Sequence, residues 1–200
     1  MSVSPTAIGD VAVVSSSAYN GVYSMIIGLP SGGGGTTWNI LAGGTGSSGE
    51  LVEIYWGVIT STGSSSLTFT MTGNPNYNFV AYRQFNGPGT WLADGSGAAT
   101  DGSAARGNYA SQTPTGANEL YVATAWLGLG SGTIGGSTGG YVYKNGWGPF
   151  NVSTFVYFLN ASNPTAYSPA WVQSPSDIFT TCAGLLSCSA SIPNNIAMLL

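Results

Sequence analysis

The sequence predicts an all-β protein, a single antiparallel β-sandwich that is jelly-roll-like and has long Gly/Ser-rich loops. Apolar residues alternate with polar ones along most of the chain, and no long segment has the i, i+3, i+4, i+7 spacing of an amphipathic helix. Glycine provides 31 of the 200 residues and clusters with Ser, Asn and Pro between the alternating segments, which is typical of turns. A chain of this length is expected to form one domain over residues 1–200.

Strands are predicted where the alternation is regular. The clearest example is 66–72, in which Leu67 and every second residue after it are large and apolar while threonines lie between them. Segment 51–60 places Glu53 and Tyr55 opposite a wholly apolar face, so we expect it to cross the core. The remaining predicted strands are 10–14, 22–27, 38–41, 77–85, 120–127, 150–159 and 169–173.

Glycine-rich segments between these strands are predicted to be loops. They are 31–35, 43–49, 94–107 and 129–140. Aromatic side chains lie in or beside them, namely Trp91, Tyr109, Tyr141, Tyr143 and Trp147. A ring in such a position can contact another protein chain or stack on a glycan. The alternative is that these rings pack over the ends of the sandwich core.

The chain is poor in charge. It contains three basic and seven acidic residues, 5% in all, where about 25% is ordinary. A folded chain of 20.3 kDa exposes roughly 9,000 Å² of surface, so hydroxyls, amides and glycines must cover most of it. Such a surface has little like-charge repulsion to oppose association with neighbouring subunits.

Composition argues against several function classes. Three basic residues are too few to neutralise the about six to ten phosphates that strong nucleic-acid binding uses. No apolar stretch reaches the roughly 18 residues that a membrane-spanning helix needs. The start of the chain lacks a basic segment and contains Asp10, so no secretory signal is expected. We therefore expect neither a nucleic-acid partner nor a membrane span.

One short motif matches a catalytic pattern. GGSTG at 135–139 places Ser137 where a nucleophile elbow has its serine. The chain contains no histidine, so the usual base for such a serine is missing. The glycine-rich composition of the loop is enough to explain the match.

Paired carboxylates are the other pattern that could support catalysis, as general acid and base. The candidates are Glu50, Glu53, Asp94, Asp101, Glu119 and Asp177. Glu50 and Glu53 are three positions apart on a strand and leave its opposite faces. Asp94 and Asp101 can approach each other across a loop, or simply form turns. We expect no enzyme activity, no metal site and no cofactor.

The two cysteines are close together in the sequence. Cys182 and Cys188 have five residues between them. A disulfide around so small a loop would stabilise the fold by roughly 2.4 kcal/mol. The alternative is two free buried thiols. A structural zinc site is not expected, because it needs about four nitrogen or sulfur ligands.

Six segments in chain order carry a family resemblance. They are GDVAVV at 9–14, TTWNILAGG at 36–44, LVEIYWGVIT at 51–60, SSLTFTMTG at 65–73, FVAYR at 79–83 and ANELYVATA at 117–125. Together they resemble a β-sandwich domain of tailed-bacteriophage virion proteins, especially minor tail and fibre-associated proteins of actinobacteriophages. The resemblance covers residues 8–127, about three-fifths of the chain.

The resemblance implies a virion structural protein with no catalytic residues, most simply a minor tail or adhesive component. Its partners would be other copies of itself, neighbouring virion proteins and possible host cell-surface glycans. It would assemble in the host cytoplasm and become extracellular after lysis. Residues 182–200 are a candidate docking segment. Two alternatives stay open: a capsid decoration protein on the head surface, and a secreted carbohydrate-binding module.

Overall fold

The computed structural model describes residues 1–21, 26–34, 37–73, 75–87, 89–95, 97–128, 138–147 and 151–189. Within these residues the chain forms fifteen β-strands and no helix, which confirms the all-β prediction. The strands are β1 (Ser2–Val3), β2 (Val11–Tyr19), β3 (Ile26–Ile27), β4 (Ser31–Gly32), β5 (Asn39–Thr45), β6 (Glu50–Val58), β7 (Ser65–Thr68), β8 (Met71–Thr72), β9 (Tyr77–Phe85), β10 (Trp91–Ala93), β11 (Ala98–Asn108), β12 (Glu119–Gly128), β13 (Val142–Trp147), β14 (Asn151–Ala161) and β15 (Ala170–Cys188).

Two large antiparallel sheets face each other, as expected for a sandwich-like fold. The first sheet has the strand order β5-β6-β2-β9, and the second has the order β13-β14-β12-β15. β10 and β11 both pair with the remaining edge of β15, at different places along its 19 residues. Two small sheets, β1-β7-β4 and β3-β8, lie over the outer face of the first sheet.

The main core lies between the two large sheets, because alternate residues of both sheets point inward. Val13 and Ile54 of the first sheet pack in one cluster with Val122, Phe155 and Leu186 of the second, and all are buried. Burying a side chain of this size contributes roughly 1.5–3 kcal/mol. This cluster therefore holds the sheets face to face.

Each large sheet is also covered on its outer face. The intervening residues of β2, among them Val14, pack with Tyr55 and Leu67 beneath the small sheets. The intervening residues of β12, among them Tyr121, pack with Trp171 in a third cluster. As a result, eight of the nine residues of β2 and all ten residues of β12 are buried. These two strands lack the solvent face that strands of a simple two-layer sandwich have.

Several predicted boundaries need correction. The loop prediction for 94–107 is wrong, because β11 occupies most of that segment and pairs with β15. Its side chains are largely exposed, so the apolar alternation that marks a half-buried strand is missing. Segment 43–49 is a loop only after Thr45, where β5 ends. The strand expected at 66–72 is two short strands in different small sheets, although Leu67 does face the core.

Buried hydroxyl groups link the two large sheets. The Ser15 hydroxyl donates to Thr124 Oγ1 at 2.6 Å, and Thr124 donates in turn to the backbone oxygen of Thr154 at 2.9 Å. Ser17 and Ser153 form a second hydroxyl pair across the same interface. None of these residues is more than 5% exposed. A buried hydroxyl without a partner costs about 1–3 kcal/mol, so these bonds favour one alignment of the sheets.

A bulge interrupts the pairing of β15 with β11. The ladder stops at Asp177 and resumes at Val172, so that 173–176 bulge out of it. The buried Gln173 side chain fills the gap, since its Nε2 donates to the backbone oxygens of Ala104 at 2.6 Å and Asp177 at 2.5 Å. One side-chain amide thus replaces backbone donors that the bulge removes.

Thr124→Val is expected to destabilise the fold more than Ser15→Ala does. The valine leaves the Ser15 hydroxyl buried without an acceptor, at a cost of about 1–3 kcal/mol. Ser15→Ala leaves Thr124 still donating to the Thr154 backbone and should cost less than about 1 kcal/mol. The double variant should regain part of the Thr124→Val loss. Denaturant-induced unfolding measures all three, and strict additivity of the two single losses would contradict the hydrogen bond.

Gln173→Glu is expected to lower the free energy of unfolding by roughly 2–4 kcal/mol at neutral pH, because it places a carboxylate against backbone oxygens. Ser174→Glu is the matched control, since Ser174 is the next residue and is exposed. The control should change stability by less than about 0.5 kcal/mol. Thermal unfolding compares the two, and equal midpoints would show that the Gln173 amide does not support the bulge.

Candidate functional site

Two of the five candidate aromatic contacts are core residues. Trp91 is 2% exposed and packs between the large sheets. Tyr109 is 1% exposed, and its hydroxyl forms a hydrogen bond with that of Thr154. Alternation along β10 turns Trp91 inward and leaves Leu92 59% exposed. The prediction that Trp91 and Tyr109 contact a partner or a glycan is therefore wrong, and the alternative of core packing holds for both.

Tyr141 and Tyr143 are half-buried on the outer face of the second sheet. The Tyr141 ring packs against Tyr121 and Phe158, with ring centroids 5.8 Å and 5.0 Å apart. The Tyr143 hydroxyl donates to the backbone oxygen of Ala170, the first residue of β15, at 3.0 Å. Both rings keep part of their surface accessible, so their contact with another molecule stays a prediction. Trp147 ends β13, and its side chain lies outside the described residues.

Cys182 and Cys188 are free thiols, so the disulfide prediction is wrong. Both belong to β15, which continues without a turn between them. Extended backbone separates residues at this spacing by roughly 20 Å, whereas a disulfide needs Cα atoms within about 7 Å. Cys182 lies in the main core, where burial raises the pKa of its thiol well above the ordinary value. Cys188 is half-buried.

The candidate carboxylates are dispersed, with one exception. Glu50 and Glu53 leave opposite faces of β6, as predicted; the first is buried and the second half-buried. The Asp101 carboxylate accepts a backbone N–H of the β5–β6 turn at 3.1 Å. Asp94 is held by a different part of the backbone and does not pair with Asp101. Asp94 lies instead beside Glu119, and these two form the one pair among the candidate carboxylates.

Asp94 and Glu119 form a carboxyl pair at the entrance to β12. Consecutive backbone N–H groups hold it, since Thr115 donates to Asp94 Oδ2 at 2.7 Å and Gly116 donates to Glu119 Oε1 at 2.7 Å. The Thr115 hydroxyl adds a bond to Asp94 Oδ1 at 2.6 Å. The pair exists because β10 and β12 flank the same end of β15. Sequence spacing alone gives no signal of it.

The two carboxyl groups have opposite pKa shifts. Burial, together with the hydrogen bond and the charge of Asp94, raises the pKa of Glu119 to about 7. Burial alone would raise the pKa of Asp94 as well, but hydrogen bonds from Thr115 and Glu119 outweigh it and lower that pKa. Below neutral pH, the pair therefore carries a proton that belongs mainly to Glu119.

Few charged side chains are fully exposed. Every charged residue is within the described part of the chain, and only Asp101 and Arg106 are exposed. Asp10, Glu50 and Glu119 are buried, and the others are half-buried. The large apolar side chains that are exposed are more numerous: Met1, Ile8, Leu29, Ile40, Leu92, Val142 and Val172. Electrostatic repulsion between two such surfaces is weak.

Backbones of the two large sheets come close together at β5, an edge strand of the first sheet. A Cβ at Gly44 would lie 2.6 Å from the Cβ of Ala99, and a Cβ at Gly97 would lie 2.5 Å from that of Ala42. Only glycine allows backbones to come this close. The segment that leads into β11 thus covers the β5 edge.

The opposite edge strand of the first sheet is β9. All nine of its residues pair with β2 in regular register, and no strand among the described residues pairs with its other edge. Its sequence has no proline and no bulge, and Arg83 is its only charged residue. Prolines, bulges and charges are the usual protection of a sheet edge. By contrast, β11 carries Asp101, Arg106 and an interrupted ladder. β9 is therefore well suited to pair with another strand.

No protein-family model, no curated protein and no solved structure is significantly similar to this chain. The described residues contain no group of three Asp, Glu or Cys side chains that could hold a metal ion. No helix in the same part of the chain is long and apolar enough to cross a bilayer. Ser137 lies outside the described residues. The candidate functional features are thus the charge-poor surface, the β9 edge and the carboxyl pair.

Both cysteines are expected to react with iodoacetamide in denaturant without prior reduction, because neither thiol is bridged. Intact-mass measurement should show two added groups. In native Cys188→Ser protein, the remaining Cys182 thiol should stay unmodified under the same treatment, since it is buried and its raised pKa leaves little thiolate. Absence of any adduct in denaturant would contradict the free thiols.

Proposed function

We propose that this protein is a structural component of a bacteriophage virion, most simply a minor tail or adhesive protein, that works through permanent contacts with other subunits. The charge distribution carries the proposal, because Asp101 and Arg106 are the only exposed charged residues. A surface of hydroxyls, amides and isolated apolar groups offers little repulsion to a neighbouring subunit. The six-segment sequence resemblance supplies the virion context.

The edge of β9 from Asn78 to Phe85 is the contact through which we propose that copies associate. Backbone N–H and C=O groups on a free edge gain partners when a second copy pairs with it in antiparallel orientation. Pairing centred on Ala81 sets Val80 opposite Tyr82 and Arg83 opposite Phe79. Aromatic pairs with β-branched residues and with cations are favourable, and this register keeps the two Arg83 side chains apart.

A capsid decoration protein on the head surface is the second candidate location, since it would use the same subunit contacts. Glycan binding as the main function has less support. Such binding depends on accessible aromatic rings, and Trp91 and Tyr109 are buried. Of the five candidate rings, Tyr141 and Tyr143 are the ones that the structure shows to be partly accessible.

Asn78→Lys is expected to weaken self-association by at least roughly tenfold, because it adds a second cation to each β9 edge. Asn78 is the exposed residue of that strand, so the change should leave the fold intact. Ser64→Lys is the matched control: it makes the same charge change at an exposed position outside the strands. Sedimentation velocity over a range of concentrations measures the effect.

Three outcomes are informative. A wild-type chain that stays monomeric at high concentration would contradict permanent association. Equal weakening by Asn78→Lys and Ser64→Lys would assign the effect to net charge and not to β9. Weakening by Asn78→Lys alone supports the β9 contact.

The virion location is tested on purified particles. Mass spectrometry should detect the chain in stoichiometric amounts, and antibody labelling viewed by electron microscopy should mark the tail. Labelling of the head surface would select the decoration protein instead. Absence of the chain from particles that contain all other structural proteins would overturn the virion proposal.

A further inference from the structure

We propose that Asp94 and Glu119 share one proton and act as a pH-sensitive latch, which fixes the 112–118 segment over the outer face of the second sheet. This inference rests on the geometry of the pair and is independent of the proposed function. The latch is closed when Glu119 is protonated and opens when both carboxyl groups are ionised.

The hydrogen-bond geometry places the two carboxyl groups next to each other. Thr115 and Gly116 are consecutive, and their N–H groups bind one carboxyl each, which brings Asp94 and Glu119 side by side. Glu119 is 1% exposed, and its Oε2 accepts no N–H or O–H from any described group. Asp94 is the titratable group that acts on the Glu119 carboxyl, and a proton shared between the two would make their contact favourable.

No positive charge offsets the pair. Ala161 of β14 lies opposite Glu119, and on the β15 side Leu186 lies opposite Leu120, the residue after Glu119. The segment before β12 contributes backbone N–H groups and the Thr115 hydroxyl. Neither carboxyl has a Lys, Arg or other titratable group acting on it besides its partner. Two ionised carboxylates here would repel each other, and the buried Glu119 carboxylate would be poorly solvated.

The 112–118 segment is also attached to residues 162–167 by hydrogen bonds. Gln112 exchanges two backbone hydrogen bonds with Tyr167, at 3.0 Å and 2.8 Å. The Gly116 oxygen accepts the Asn163 N–H at 2.8 Å, and the Asn118 N–H donates to Ser162 Oγ at 3.2 Å. Tyr167 belongs to the outer cluster of the second sheet. Release of the segment from the carboxyl pair would therefore loosen the cover of that cluster.

The pH dependence follows from the direction of the shift. The pKa of Glu119 is raised from its ordinary 4.5 to about 7, so the folded state holds the proton more tightly than the unfolded chain does. The stabilisation is complete below the unfolded pKa and is lost as pH rises through the folded pKa. The pKa of Asp94 is lowered, so its contribution to stability is lost in the opposite direction, as pH falls into strong acid. The latch thus opens around neutral pH.

The test follows thermal unfolding and amide hydrogen exchange from about pH 5 to about pH 8. For the wild-type chain, Tm should fall by roughly 5 °C over this range. Exchange in 112–118, corrected for its intrinsic pH dependence, should accelerate. Glu119→Gln keeps a donor toward Asp94 but cannot ionise, so its Tm should fall clearly less than that of the wild type and its local exchange should stay constant; the raised pKa of Glu53 accounts for any remaining fall. Asp101→Asn removes a carboxyl outside the pair and should keep the wild-type fall.

A flat wild-type profile, or a Glu119→Gln profile that falls like the wild type, would overturn the latch. If Glu119→Gln does not fold, Asp94→Asn decides the matter. Removing the Asp94 charge lowers the pKa of Glu119, so the midpoint of the fall should move to lower pH. A midpoint that does not move would overturn the proposal.

Discussion

Burial of β2 and β12 on both faces is the constraint on which the rest of this structure depends. Each strand lies inside its sheet, with a strand paired on either edge and packed layers above and below. Apart from the half-buried Tyr19 at the end of β2, every side chain on these strands is buried and must fit the packed layer on its own side of the sheet. This explains why small residues and hydroxyls are as frequent there as large apolar ones, and why Ser15 and Thr124 must satisfy each other.

The sequence predicts this architecture well where apolar and polar residues alternate along the chain. Alternation locates β6 and β9, although both faces of β6 are largely buried in the structure. It fails for the second half of β2, whose serines are typical of loops, and for the part of β15 beyond residue 173, whose Pro and Ser are typical of turns. β11 escapes detection because it is held by backbone pairing and has no buried stripe.

Long-range geometry also explains what sequence reasoning gets wrong about the sites. Trp91 has a loop-like context but points into the core, because β10 docks on the end of β15. Cys182 and Cys188 are neighbours in sequence and distant in space, because the chain between them is fully extended. Asp94 and Glu119 show the reverse: no local pattern joins them, and only the order of strands around β15 does.

The two sides of the first sheet differ in a way that bears on assembly. At β5 the backbones come so close that glycine is required, so the segment before β11 crowds that edge. At β9 the edge is regular and nearly uncharged. A subunit with one crowded edge and one regular edge favours addition of a neighbour at β9. The carboxyl pair lies on the other large sheet, so changes in its protonation need not disturb a β9 contact.

The length of β15 gives the subunit a mechanical character. Three strands pair with β15: β12 along one edge, and β10 and β11 along the other. Inter-strand hydrogen bonds run across the strand direction, so a pull along β15 loads many of them together in shear, and they do not peel apart one by one. Tension applied to the end of β15 would be distributed over the whole second sheet. An attachment at that end would therefore resist mechanical unfolding.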